Sequence, residues 1–92
     1  MGYRWWPRAL ERLAGVEPYE VSQVLAAPRR RPRMAVARGV KVLTISGRTS
    51  AGRPLLVFVR QDSQWDWLII GAREMTPDQV VDLERWEQEG ES

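Results

Sequence analysis

The chain has 92 residues, with five tryptophans but neither cysteine nor histidine. That length makes one domain, because half of it could not enclose a core of its own, and the missing residues exclude a disulfide framework, a thiolate or imidazole zinc site and the commonest general base. The net charge of +2 hides a polar distribution: residues 1–60 carry twelve basic and three acidic side chains, residues 61–92 two basic and nine acidic, so a cationic face can meet a phosphate backbone while a helix elsewhere is anionic.

All but one of the 14 basic residues are arginine, Lys41 being the exception. Arginine's planar fork suits phosphate, although GC-rich coding produces the same bias. Apolar runs such as residues 55–59 fall far short of the roughly 20 residues that span a bilayer. The start, with Trp5, Trp6 and Pro7, has no signal-peptide pattern. A cytoplasmic protein with no metal and no cofactor is the expectation.

In chain order, Tyr3, Arg4 and Trp5 predict a short strand, and Pro7 opens a helix carrying Leu10, Leu13 and Ala14 that Gly15 ends. Pro18 opens a second short helix with Val21, Val24 and Leu25 on one face. Residues 29–33, four arginines with Pro32 among them, predict a solvated connector. Strand spacing begins near Val36, and residues 41–46 alternate, with Leu43 and Ile45 on one face and Val42, Thr44 and Ser46 on the other. After a loop at residues 49–52, residues 53–60 read as a central strand covered on both faces. A turn at residues 61–64 leads to a last strand over residues 65–72, with Trp65, Trp67 and Ile69 on one side. The final helix has Thr76 as cap, Pro77 at its first position and a Thr-x-x-Gln capping box with Gln79. Its apolar side is Val80, Leu83 and Trp86, and residues 87–92 are expected to fray.

Several of these segments carry a joint signature: Trp5-Trp6-Pro7 near the start, Leu13-Ala14-Gly15-Val16 at a helix end, Gly47-Arg48-Thr49, Gly52-Arg53 entering a strand, and Ala72-Arg73 before the last helix. In order and spacing they resemble the BrnT family of bacterial toxins. The resemblance implies a RelE-like α+β fold, β-α-α-β-β-β-α, with an antiparallel sheet of three to four strands, two N-terminal helices and one C-terminal helix. It also implies a toxin of a type II toxin–antitoxin system, an endoribonuclease that cleaves mRNA and inhibits translation and is held by a small antitoxin. The chain departs from the family pattern at polar positions. The family's Lys-His pair falls on Leu13 and Ala14, its Asp on Trp6, and its last-helix Glu and Tyr on Gln79 and Leu83.

Metal-free RNA cleavage needs a base for the 2′-hydroxyl, cations for the phosphorane and help for the leaving oxygen. Arg73, at the end of the last strand and before a helix N-terminus, is the leading residue for phosphate. Arg48, Arg53 and Arg60, near strand ends, are expected to converge with it, and Glu74 is the adjacent ionisable base, weakened if arginines surround it. RNA-binding candidates are Arg53, Lys41, Arg30 and Arg31, with Trp65 and Trp67 as base-stacking platforms. Each has a structural alternative: Arg73 as a clamp to Glu84 or Asp82, Arg48 and Arg53 as a solvated pair beside a loop, Arg60 as a surface strand end, Lys41 snorkelling, and the tryptophans as packing. The runner-up function is a non-catalytic RNA- or protein-binding module.

Overall fold

The computed structural model describes residues 2–37, 39–61 and 66–90. In chain order they form β1 (Gly2–Trp5), a single 3₁₀ turn (Ala9–Arg12), β2 (Leu13–Ala14), α1 (Pro18–Ala26), β3 (Arg30–Ala37), β4 (Val40–Arg48), β5 (Pro54–Gln61), β6 (Asp66–Glu74) and α2 (Pro77–Glu89). All six strands belong to one sheet in the order β1-β6-β5-β4-β3, with β2 also paired to β6.

The β3-β4, β4-β5 and β5-β6 pairs are antiparallel, whereas β1 and β2 run parallel to β6. This overturns the expected RelE-like arrangement in two respects. The sheet is mixed and has six strands, and only one α-helix precedes β3.

The segment read as a first helix makes one 3₁₀ turn, then enters the sheet as Leu13 and Ala14 pair with Ala72 and Arg73. An isolated two-turn helix is marginal in water, and here the outer edge of β6 offers backbone partners instead. Gly15 then reverses the chain at φ 72°. Residues 30–33, expected in a connector, are the first half of β3, which forms one edge of the sheet. Pro32 is compatible with that place because an edge strand has one side without ladder partners. The turn expected at residues 61–64 falls largely outside the described residues.

The two sheet faces differ. On one, Ile45, Leu55, Val57, Val59 and Ile69 pack with Val21, Val24 and Leu25 of α1, and Tyr3, Trp5, Leu13, Leu43 and Trp67 flank them. Leu55, Val57 and Val59 are fully buried, as the apolar run of β5 predicts. The other face is covered at one end only, by α2, whose Leu83 is the one fully buried residue of that helix.

Helix α2 begins with the predicted box: Gln79 N donates to Thr76 Oγ1 at 3.3 Å and Thr76 N to Gln79 Oε1 at 2.9 Å. It runs on through Glu89, so residues 87–89 are helical rather than frayed. Arg29 accounts for much of this. Its Nη2 donates to Glu87 O at 2.8 Å and Trp86 O at 3.5 Å, and its guanidinium lies 5.0 Å from the Trp86 ring centre. A cation on the last carbonyls of a helix satisfies orphan acceptors and complements the dipole. Among the described residues, no helix is long and apolar enough to cross a membrane.

Candidate nucleic-acid interface

Residues paired across a sheet share a face, so the register defines what the half-covered face presents. One row runs Arg31, Ser46, Leu56, Arg73 and the next Arg33, Thr44, Phe58, Gly71. Beyond them Arg60 pairs with Leu68. Three strands thus bring Arg31, Arg33, Arg60 and Arg73 around Phe58. The side chains of Arg31, Arg33 and Arg60 make no hydrogen bond or ion pair among the described residues.

A cleft of about 290 Å³ opens where α2 leaves this face. Arg31, Arg33, Thr44, Ser46, Phe58 and Arg73 line it from the sheet, Gln79, Asp82 and Leu83 from the helix. Its hydroxyls and guanidinium groups suit the oxygens of a phosphodiester.

Arg73 is held in place. Its Nη1 donates to Glu74 O at 3.0 Å and Gln79 Oε1 at 3.2 Å, and its guanidinium carbon stands 5.9 Å from the Phe58 ring centre. Those bonds use only Nη1. The Nε–Nη2 edge, which offers three N–H donors in a fork, has no partner among the described residues. The clamp to α2 anticipated for Arg73 exists, but through Gln79 and not through Glu84 or Asp82.

The remaining candidates lie elsewhere. Arg48 is engaged by Glu87, its Nε to Oε2 and Nη2 to Oε1 both at 3.0 Å, while Nη1 donates to Gly52 O at 3.0 Å. Hydrogen bonding to Arg48 holds the Glu87 carboxyl below its ordinary range. Arg53 donates from Nη1 to Glu20 Oε1 at 2.8 Å and from Nη2 to Gly15 O at 2.8 Å and to the Glu74 carboxylate. The Glu20 carboxyl is also lowered, first by the Glu17 backbone N–H and then by Arg53. Glu74 pairs with Leu55 in the register, which puts its side chain toward α1, opposite Arg73.

Lys41 is exposed and pairs with Val36 on the α1 side. Arg30 donates from Nη1 to Ala27 O at 2.8 Å and shares the Gly47 position on that same side. Trp67 packs beside the core, and Trp65 lies outside the described residues. Of the ten candidates, Arg31, Arg60 and Arg73 therefore meet on the open part of the half-covered face, while Arg48, on the same face by register, is held at the end of α2 outside the cleft.

Sequence reasoning missed Arg33, Thr44, Ser46, Phe58, Gln79 and Asp82 as cleft residues. The signal for Arg33 was the alternation of Arg31 and Arg33, which carries meaning only once residues 30–37 are a strand. Compared with known proteins, the chain matches no family model and no curated protein.

Proposed function

We propose that this chain binds single-stranded RNA through the half-covered sheet face, with Arg73 as the phosphate anchor and Arg31, Arg33 and Arg60 extending the grip. The observation that carries this reading is the pre-set Arg73 fork: a guanidinium fixed by Gln79 and the Glu74 carbonyl, with its Nε–Nη2 edge unused among the described residues. Holding a guanidinium in place before binding reduces the ordering cost that a phosphate contact would otherwise carry. Phe58 among the arginines supplies an aromatic surface of the kind that tolerates any base.

Binding rather than cleavage is the primary activity in this reading, because Arg48 and Glu74, two groups the resemblance would bring to catalysis, are engaged by other residues, Arg48 by Glu87 of α2 and Glu74 by Arg53 on the α1 side. The second reading is an endoribonuclease toxin of the BrnT kind, favoured by one observation, the Asp82 carboxylate on the same cleft as Arg73. A carboxylate there is positioned to take a 2′-hydroxyl proton while arginines stabilise the phosphorane. In either case an acidic partner such as an antitoxin would block RNA by covering the arginines.

Fluorescence anisotropy with a labelled single-stranded RNA tests the proposal. Wild type binds with an affinity that falls steeply with salt, by about 0.7 log units per log unit of salt for each phosphate neutralised. Arg73→Ala binds about tenfold or more weakly, as expected for a lost charge-assisted contact. Wild-type affinity in the variant would remove Arg73 from the interface. Incubation of a long mRNA with EDTA separates the two readings: intact RNA supports binding alone, and discrete fragments that vanish in Asp82→Asn support cleavage.

A further inference from the structure

A second cleft of about 300 Å³ lies on the other side of Arg73, lined by Arg12, Ala14, Phe58, Ile70, Gly71 and Ala72 together with Arg73 itself. Phe58 and Arg73 thus belong to both clefts. The first cleft is rich in guanidinium groups and hydroxyls, whereas the second has a floor of small and aliphatic residues. We propose that this second cleft is a nucleobase subsite, which takes a base next to the phosphate held by Arg73; the assignment rests on the RNA-binding reading above.

Three observations carry it. The size sits at the low end of the roughly 300–1,000 Å³ of small-ligand pockets, fitting one ring system rather than a longer segment. Its walls include the half-buried Phe58 ring, a flat group on which bases stack, and Arg12. Arg12 is itself oriented, its guanidinium carbon lying 5.4 Å from the centre of the Trp6 ring.

The third observation is how the cleft is built. Ile70 has no partner on β5, because Phe58 pairs with Gly71 and Val59 already pairs with Ile69. The extra residue is a bulge, the device that re-aims side chains beside functional sites. At Gly71 a Cβ would stand 3.2 Å from Arg12 O and 3.3 Å from Arg12 Cβ. The bare glycine is what lets the Arg12 segment close over β6 and form the rim.

In a single strand every phosphate has a base beside it, so a guanidinium on the wall between a polar and an apolar cleft matches one nucleotide step. A duplex keeps its bases stacked inside and cannot offer one to the apolar cleft. The site therefore selects unpaired RNA.

The test compares two fluorescein-labelled probes of equal length, a single-stranded RNA and its abasic counterpart, by anisotropy at fixed salt. Wild type binds the base-bearing strand roughly tenfold tighter, the scale of one base–aromatic stack. In Ala14→Trp, which fills the cleft from an exposed position, and in Phe58→Leu, which keeps apolar bulk without the ring, that ratio falls towards one. Circular dichroism confirms that both variants are folded. Equal wild-type affinity for the two probes overturns the subsite and leaves the RNA-binding reading standing, and an undiminished ratio in both variants overturns its location. Failure of wild type to bind either probe overturns the RNA-binding reading and the subsite with it.

Discussion

Arg48 closes a two-point fork on Glu87, with Nε and Nη2 each 3.0 Å from a different carboxylate oxygen. The contact joins the end of β4 to the last turns of α2, and about a third of each side chain is exposed. Paired charges of this geometry contribute more than an open surface pair, since the fork satisfies both partners at once.

Arg48→Met removes the fork and leaves Glu87 without its guanidinium. The expected cost is about 1–2 kcal/mol, a fall in Tm of about 4–16 °C for a domain of this size. Thermal unfolding of Arg48→Met, Glu87→Gln and the double variant measures it. A coupling energy near zero would mean that α2 is held by other contacts.

Acid should loosen the same fold. In the folded chain Glu20 and Glu87 both titrate below the ordinary carboxylate range, so on lowering the pH through about 4.3 the unfolded chain takes up protons first. Their contribution is complete above that point and is lost as pH falls through the lowered folded values. Urea midpoints measured from pH 7 to pH 3 should decline, and less steeply in the Glu20→Gln, Glu87→Gln pair. Parallel declines in the two proteins would reject these carboxylates as the cause.

Leu83 is the anchor of α2, with 2% of its surface exposed. Leu83→Ala should cost about 2–4 kcal/mol and free the amides of α2 for hydrogen exchange before those of β5. Exchange of both elements at one rate would show that the helix and sheet open together.

Gly71→Ala places a methyl group against the Arg12 backbone at 3.2 Å. The expected destabilisation is about 1–3 kcal/mol from local crowding, with NMR shift changes centred on residues 9–14. An unchanged spectrum in that segment would refute the close approach.

What the sequence discloses here depends on whether the deciding partner is near in the chain. The Thr76–Gln79 box and the central strand of residues 54–61 are local and stand as read, although β5 is fully covered on the α1 face only, with Phe58 half-buried and Arg60 exposed on the other. Leu13 and Ala14 have helical spacing, but their backbone partners are Ala72 and Arg73, which no local pattern announces. The arginines at 30–33 have the composition of a loop, yet pairing with β4 makes them a strand and sends Arg30 and Arg31 to opposite faces. Arg73 was legible as a candidate because it stands at a strand end before a capped helix. Arg48 and Arg53 also stand beside strand ends, flanking a loop, and only the fold shows that Glu87 and Glu20 engage them.

The parallel seating of β1 and β2 on β6 also sets an order of assembly. During synthesis β3, β4 and β5 can zip by short reversals, whereas Tyr3, Trp5 and Leu13 have no strand to join until residues 66–73 emerge. Closing so long a loop comes late and gains little until the rest of the sheet exists. Within this chain β1 is thus the last strand to dock, and its aromatic side chains stay open to chaperones, or to other chains, until β6 is in place.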